Sequence, residues 1–182
     1  MKTKPASEYA LLGVLMNGPI HGYQILRSLK GGLGSTWHIP ASQLYAQLKR
    51  LEGRGLVRAE MEHRDDRPSR RVFELTDLGG RAFRTWALSP CEHIRDLRIE
   101  FLAKLFFIKN LSLDGSSLIK AQTEVLEQAI KRMKGSIGHD EDPYERLTAE
   151  FKLATAEAWI HWLKKSAQPF VEEIKDDDQS LR

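Results

Sequence analysis

The order of secondary-structure patterns over residues 42–75 constrains the fold of this 182-residue chain more than any other feature. Residues 42–53 carry Leu44, Leu48 and Leu51 at helical spacing, and the pattern ends at Gly53 or Gly55. Two short strand-like runs follow at once, "LVRAEMEHR" and "SRRVFEL", joined by the turn-prone "DDRP". The segment therefore predicts an amphipathic helix that leads directly into a β-hairpin.

Helical patterns flank this segment on both sides. "SEYALLGVLM" and "HGYQILRSLKGGLG" predict two short helices before it, separated by the break at Gly18 and Pro19. "DLGGRAFRTWAL" predicts a further helix after the hairpin, with Thr76 as its N-cap. Helices and a hairpin in this order are typical of a winged helix-turn-helix domain, which we predict over residues 1–88.

Residues 89–182 have only helical patterns, so the fold class is mostly α, with an all-α second domain. The segment "HIRDLRIEFLAKLFFIKNL" predicts a helix with a broad apolar stripe. A second helix is predicted to begin near Ser116. A third begins with the Asp142 cap and Pro143, and an apolar line follows at Leu147, Phe151, Ala154, Ala158 and Trp162. The acidic residues from about 176 onward predict a disordered tail.

Charge is distributed unevenly between the two predicted domains. Residues 1–90 hold 14 Lys and Arg against 8 Asp and Glu, whereas residues 91–182 hold 14 against 17. A basic first half indicates contact with a polyanion through that half alone. The alternative is ordinary scatter in composition, so the imbalance needs support from the positions of the charges.

The exposed face of the helix at 42–53 has the residue types that a DNA groove requires. Opposite the leucines lie Ser42, Gln43, Ala46, Lys49 and Arg50, with Gln47 at the flank. Gln and Arg can make bidentate contacts with base edges, Ser and Lys reach phosphates, and Ala46 permits close approach. A solvated amphipathic helix would show similar residues, and the basic hairpin that follows favours DNA over this alternative.

Four sequence segments together resemble the PadR family of bacterial transcriptional regulators. They are "EYALLGVLMNGPIHGYQI", "LYAQLKRLEGRGLV", "RPSRRVFELTDLG" and, in the second domain, "IRDLRIEFLAKLFF". The resemblance covers nearly the whole chain. It implies a homodimeric repressor that binds a palindromic operator on double-stranded DNA, with the C-terminal helices building the dimer.

The resemblance also assigns roles to individual residues. Ser42, Gln43 and Tyr45 match the start of the family's recognition helix, Lys49 and Arg50 its basic middle, and Arg67, Arg70 and Arg71 its basic wing. Tyr45 borders the leucine face, so packing is an equal alternative for it. Packing is also expected for Gly22 and Tyr23, while Phe73 and Leu75 should anchor the hairpin. The chain departs from the family at Phe73, where Tyr is frequent, and at Ala46, where Pro is frequent.

Several aromatic residues raise the possibility of a small-molecule effector. Some family members release the operator when a flat apolar molecule enters the helical core, which the resemblance extends to this chain as a hypothesis. The candidate effector-binding residues, which we expect near the domain junction or the dimer core, are Trp86, Phe101, Phe106, Trp159 and Trp162. Plain packing is the simpler interpretation of the same residues.

Other function classes find little support in the sequence. It has no His-Glu-x-x-His, no Cys-x-x-Cys and no Gly-rich phosphate loop, so we predict no enzyme, no cofactor and no metal site. Residues His139 to Asp142 have potential metal-donor atoms, but a helix-capping acidic loop is the simpler interpretation. Cys91 is the sole cysteine, so a redox role for it stays open. Without a signal peptide or a long apolar run, we expect a cytoplasmic protein that does not enter membranes.

Two alternatives to a DNA-binding regulator remain at this point. The winged helix can serve as a protein–protein interaction module that binds an acidic partner and never meets DNA. An enzyme whose reactive residues are not recognisable from their spacing is a rarer option.

Overall fold

The computed structural model describes residues 6–34, 39–64, 67–136 and 142–180, with the backbone alone for 63–64, 67–69, 136 and 177–180. The described residues are mostly helical, with one small antiparallel sheet. The chain divides into two compact units, residues 1–87 and 88–182, close to the predicted boundary at 88. The predicted fold class is confirmed.

The first unit contains four helices and three strands. Their order is α1 (Ala6–Leu15), β1 (Ile20–His21), α2 (Gly22–Leu33), α3 (Ala41–Gly53), β2 (Val57–Arg64), β3 (Arg67–Leu75) and α4 (Asp77–Leu88). Apolar side chains from all four helices and from the sheet form one core, with Leu11, Ile25, Leu48, Phe73 and Phe83 fully enclosed. Burial on this scale is the main stabilising contribution for a small domain.

The sheet has the order β1-β3-β2, and every pairing in it is antiparallel. Ala59 of β2 and Ile20 of β1 both pair with Phe73, which lies in the middle strand and buries its ring. The sequence predicted the β2–β3 hairpin but only a break at residues 17–22. Strand β1 was missed because it is two residues long, too short for an alternating pattern to appear. We refer to the β2–β3 hairpin as the wing.

The predicted turn in the wing is too long. Sequence reasoning assigned Asp65 to Pro68 to the turn, whereas β3 begins at Arg67, which pairs with Arg64 across the hairpin. The pairing changes register between Glu62 and Arg64. One residue of β2 and two residues of β3 lie between these two pairs, so the extra residue is in β3. Arg67 therefore lies in a strand rather than on a loop.

Thr76 and two glycines fix the junctions around β2 and α4. The Thr76 hydroxyl accepts from the Gly79 N–H at 3.0 Å, which confirms the predicted N-cap, and donates to the Gly55 carbonyl at 2.8 Å. Gly55 ends α3 with a positive φ of 68°. A Cβ on Gly79 would overlap the Leu56 carbonyl oxygen, so α4 can approach the start of β2 only because residue 79 lacks a side chain.

The second unit is a bundle of helices. A 3₁₀ turn (Ile94–Asp96) and a wide π-type turn (Leu97–Phe101) lead into α5 (Leu102–Asn110), and α6 (Ser116–Ser136) follows. Helix α7 (Pro143–Trp162) continues through a second π-type turn (Leu163–Ala167) into α8 (Gln168–Ser180). Asp142 caps α7 by accepting from the Tyr144 and Glu145 N–H groups, as predicted. The predicted stripe is confirmed, since Leu97, Phe101, Leu105 and Ile108 are all buried.

The C-terminal end differs from the prediction. Residues from about 176 were expected to form a disordered tail, whereas the backbone of α8 stays helical through Ser180. The helix already buries Val171 against the core cluster of this unit, and its helical hydrogen bonding extends from there. A run of acidic residues lowers helix propensity too little to end an established helix.

A buried carboxylate joins the first helix to the third. Glu8 of α1 is enclosed, and its two oxygens accept hydrogen bonds from Arg50 Nε at 3.1 Å and Arg54 Nη1 at 2.6 Å. Both arginines lie near the C-terminal end of α3 and are partly exposed. One acidic side chain thus holds two basic ones, and the orientation of α3 relative to α1 depends on it.

We predict that Glu8→Gln lowers the free energy of unfolding by about 1–3 kcal/mol, because hydrogen bonds between charged groups are replaced by weaker ones at a buried position. Glu74→Gln is the matched control, since Glu74 pairs with Arg58 at 2.7 Å on the exposed surface. This control should change stability by less than about 0.5 kcal/mol. Urea unfolding measures both variants, and equal losses would contradict the special role of Glu8.

Candidate DNA-binding surface

Helix α3 exposes one polar face to solvent. Leu44, Leu48 and Leu51 are completely buried, as the periodicity predicted. The opposite face presents Ser42, Gln43, Tyr45, Ala46, Lys49 and Arg50, all of them exposed. Small and polar side chains at the start of the helix leave its N-terminal turns free to approach another molecule closely.

Gln47 does not belong to this exposed face. The sequence placed it at the flank of the candidate surface, whereas its side chain is buried, with 6% exposure. It follows Leu44 by three residues and precedes Leu51 by four, so it shares the face that packs against the core. Among the described atoms, its Oε1 has no hydrogen-bond partner. In this arrangement Gln47 cannot reach a ligand without a change of rotamer.

Arg50 is exposed but already engaged. Its guanidinium is held by Glu8, so the positive charge that it offers to a polyanion is partly neutralised. Lys49, its neighbour on the same face, is exposed as well. The resemblance assigned both residues to the basic middle of the recognition helix. The structure separates them, because Arg50 contributes to the placement of α3.

The arginines of β3 have different partners. The guanidinium carbon of Arg70 lies 5.7 Å from the centroid of the Tyr23 ring, within the range of a cation–π contact. Arg71 donates to both carboxylate oxygens of Glu52 at 2.9 Å, which ties the wing to α3. Arg67 is described by its backbone alone.

Tyr23, for which the sequence predicts packing, is a surface residue. Its ring is 52% exposed and stacks on His21, with the ring centroids 5.8 Å apart and the planes 12° from parallel. His21 in turn places its Nε2 3.4 Å from Glu62 Oε2 on the wing. Sequence reasoning did not place His21 and Tyr23 on the candidate surface, because their position beside the wing depends on the pairing of strand β1 with β3.

These residues line a groove of about 460 Å³ between the start of α2, α3 and the wing. Its lining is formed by His21, Gly22, Tyr23, Tyr45, Arg70 and Arg71. Tyr45 is 51% exposed, and its ring lies against Gly22. A Cβ on Gly22 would come within 2.7 Å of a Tyr45 ring carbon, so the ring would have to move if residue 22 carried a side chain. Two arginines and two tyrosines therefore face one concave surface beside the exposed face of α3.

The aromatic residues predicted to bind an effector pack against other rings. Trp86 belongs to the first unit and stacks on Tyr9 at 5.1 Å. In the second unit, Trp162 makes edge contacts with Phe101 at 6.3 Å and with Trp159 at 5.3 Å. Phe106 meets the edge of Phe107. Phe101, Trp159 and Trp162 contribute to the core of the second unit, and the role of the predicted residues toward a ligand stays a prediction.

Cys91 lies in a buried polar cluster with Lys104 and Gln122. The Gln122 amide accepts from the Cys91 N–H at 2.7 Å and donates to its carbonyl at 3.1 Å. Lys104 Nζ donates to the Ser89 carbonyl at 2.8 Å and lies 3.7 Å from Cys91 Sγ. Burial raises the pKa of the Cys91 thiol to about 12, although the nearby Lys104 acts against this shift. At neutral pH the thiol is protonated, which disfavours redox chemistry at Cys91.

The residues that the structure describes contain no group of three or more His, Cys, Asp or Glu side chains that could hold a metal ion. Of the four donors considered in the sequence, His139, Asp140 and Glu141 lie outside these residues, and Asp142 acts as a helix cap. None of the helices described combines the length and apolar character that a membrane span needs.

Comparison with known families identifies the first unit. The model of the transcriptional regulator PadR-like family matches residues 11–85, a range that spans α1 to α4 and includes the candidate surface. The chain carries a PadR-like family domain. This confirms the resemblance noted in the sequence. The matching family is one of transcriptional regulators, and the prediction that the chain is not an enzyme is confirmed on that ground.

Relatives of known name share the PadR-like assignment. The negative transcriptional regulator PadR of Bacillus subtilis is 29% identical over 143 residues, which cover 78% of this chain and 75% of the relative. Its crystal structure with operator DNA aligns at 23% identity and a TM-score of 0.47, covering 87% of this chain and 96% of that one. A structure of the same regulator with p-coumaric acid aligns at 24% identity and a TM-score of 0.42, covering 93% and 98%.

The contact between Gly22 and Tyr45 in the PadR-like domain gives a prediction about stability. Gly22→Ala should lower the free energy of unfolding by about 1 kcal/mol, because the added methyl group displaces the Tyr45 ring. In a Tyr45→Ala background the same change should cost nothing. Gly31→Ala is the control in the same helix, where an added Cβ meets nothing within 4 Å. It should stabilise by about 0.5–1 kcal/mol.

Thermal unfolding of the four variants and of the wild type measures this cycle. A loss from Gly22→Ala that persists in the absence of the Tyr45 ring would show that the glycine is needed for another reason.

Proposed function

We propose that this PadR-like regulator represses transcription as a homodimer that occupies a palindromic operator on double-stranded DNA. One observation carries the proposal: the exposed face of α3, with Gln43 and Lys49, lies beside a wing that presents Arg70 and Arg71. A helix of this kind enters the major groove, while wing cations hold the flanking phosphates. The name of the Bacillus subtilis relative, a negative regulator, supports repression.

The surface divides naturally into base-reading and phosphate-binding parts. Ser42, Gln43 and Ala46 occupy the first two turns of α3, where close approach to base edges is possible. Lys49 lies a turn further along and can reach phosphates. Arg50 has a mixed role in this proposal, because Glu8 holds its guanidinium and limits its reach. Sequence preference then depends mainly on Gln43, and general affinity on the wing.

Homodimer formation is supported by an apolar face of α7 that the described part of this chain leaves exposed. The helix buries Ala156 against its own unit, together with the partly buried Ile160. Roughly opposite, Leu147 and Phe151 are 61% and 72% exposed, and Tyr144 extends the same stripe. Large apolar side chains that are exposed together on one helix face mark an interaction surface. A second copy of the chain can cover this stripe symmetrically, which would place two recognition helices on one operator.

We also propose that the regulator works in the cytoplasm, where its operator is reached and where a single free cysteine is compatible with the reducing environment. The competing function, a winged-helix module that binds an acidic protein, shares the basic surface but does not require a sequence preference among DNA duplexes. DNA binding tests can therefore separate the two functions.

The test of DNA binding uses the duplex that flanks the protein's own gene, with a scrambled duplex of equal length as the control. We expect preferential binding of the flanking duplex and an affinity that falls steeply as salt increases. Gln43→Ala should cost about 1–3 kcal/mol on the preferred duplex and reduce the preference over the scrambled one. Fluorescence anisotropy at several salt concentrations measures both effects. Absence of binding to any duplex would refute the proposed function.

The dimer is tested by placing a charge in the apolar stripe of α7. Leu147→Asp should convert the dimer into a monomer, because the carboxylate would be buried without a partner in the interface. Lys152→Asp is the control, since it introduces the same side chain on the exposed part of α7 away from the stripe. Light scattering after size exclusion gives the mass directly. A wild-type monomer, or a Leu147→Asp variant that stays dimeric, would contradict the assignment of this face.

A small aromatic effector is the second part of the proposal. The Bacillus subtilis relative has been solved with p-coumaric acid, an aromatic acid. The candidate site in this chain includes Phe101, Trp159 and Trp162, whose rings pack together in the second unit. A flat apolar molecule inserted among these rings would alter the packing of the helices that carry the proposed dimer face.

An effector of this type should quench tryptophan fluorescence and weaken DNA binding over the same concentration range. Titration of p-coumaric acid, with fluorescence and anisotropy recorded on the same samples, tests this. Trp159→Phe should shift both curves together. Quenching that leaves the affinity for DNA unchanged would exclude p-coumaric acid as an effector.

A further inference from the structure

Arg70 of the wing contacts the ring of Tyr23 near the start of α2. An exposed arginine on a β-hairpin has many rotamers, and binding a phosphate requires that most of this freedom be lost. In this chain the guanidinium of Arg70 lies over the Tyr23 ring at 5.7 Å in the free protein. The side chain is therefore partly ordered before any ligand arrives.

The support behind Tyr23 explains why its ring is in place. The His21 ring stacks on Tyr23 with the ring centroids 5.8 Å apart, and the His21 Nε2 lies 3.4 Å from Glu62 Oε2 of β2. His21 also pairs with Val72 through strand β1, which fixes the backbone at the start of α2. The ring that carries Arg70 is thus supported by His21, a residue of the sheet.

The groove provides the geometry for one phosphate group. Arg70 and Arg71 contribute two cations to its lining, while Glu52 accepts from Arg71 at 2.9 Å and keeps that guanidinium oriented. Tyr45 forms the wall that belongs to α3. Guanidinium groups bind phosphate oxygens with strong, directional hydrogen bonds. A duplex that enters beside α3 would bring its backbone to this groove.

We propose that the groove seats a phosphodiester of the operator backbone, and that Tyr23 is a positioning residue that holds Arg70 ready for it. The inference rests on the proposed DNA-binding function and adds a positioning role for a residue that sequence reasoning had assigned to packing. Arg70 makes the contact in this scheme. Tyr23 acts through Arg70 and needs only its aromatic ring.

A double-mutant cycle in DNA binding tests this division of roles. Tyr23→Leu should weaken binding of the flanking duplex by roughly two- to five-fold, the size of a cation–π contact at an exposed site. In an Arg70→Ala background the same change should alter affinity by less than about 1.5-fold, because its target is gone. Arg70→Ala alone should lower the salt slope by about one. Arg81→Ala, on the exposed surface of α4, is the control for loss of an arginine.

Conservative substitution separates the ring from the hydroxyl. Tyr23→Phe should retain wild-type affinity, because it keeps the aromatic face under Arg70. A loss with Tyr23→Phe would indicate a direct hydroxyl contact and overturn the positioning role. Equal effects of Tyr23→Leu with and without Arg70 would overturn it as well, as would full affinity of Tyr23→Leu.

A measurement without DNA keeps the inference independent of the binding assay. The Arg70 Nε–H resonance should lie upfield in the wild-type protein because of the Tyr23 ring current, and it should move downfield in Tyr23→Leu. Absence of this shift in a folded variant would show that the stack does not form in solution. If wild-type protein binds no duplex at all, the proposed function fails. If it binds normally but the Tyr23 variants do not respond, only this inference fails.

Discussion

The architecture of the first unit depends on a buried carboxylate. Glu8 is enclosed in α1, and it accepts hydrogen bonds from Arg50 and Arg54 of α3. Removing a charge from water is costly, and the two hydrogen-bonded arginines compensate for this cost only in one relative orientation of the helices. Helix α3 also carries the exposed polar face. The direction in which that face points therefore depends on the contacts of Glu8 on the other side of the helix. The candidate surface is therefore linked to the core by two ion pairs of Glu8, whose partners lie 42 and 46 residues away in the sequence.

The two described wing arginines, Arg70 and Arg71, differ in their roles because they have different neighbouring side chains. Arg71 is bound by Glu52, and Arg70 lies on an aromatic ring. A partner acid reduces the charge available for long-range attraction, whereas an aromatic ring leaves the charge intact and limits motion. A count of charged residues treats Arg70 and Arg71 as equivalent. The structure indicates that Arg70 contributes more to attraction of a polyanion and that Arg71 contributes more to the connection between wing and helix.

Local sequence patterns were sufficient to predict the helices, the hairpin and the leucine face of α3. The residue types at Thr76 and Asp142 predicted the two caps. Each of these features depends on residues close in sequence. Local patterns failed where distant segments meet. Strand β1 exists through its pairing with β3, and the exposed position of Tyr23 follows from that pairing. Gln47 is an instructive error, since a polar residue at the edge of a helix face was assigned to solvent although its angular position favours the core. The pairing of Glu8 with Arg50 has no local pattern from which it could be inferred.

The strand order β1-β3-β2 has a consequence for solubility. Open strand edges can recruit further strands from other molecules, which leads to aggregation. Near the base of the wing, β1 occupies one side of β3, so that the apolar segment around Phe73 is paired on both sides. The outer strand β2 carries Arg58, Glu60 and Glu62 at alternate positions. Another strand that docked there would bring its own side chains against this row of charges, so the edge of the wing resists self-association while its other features remain free for binding.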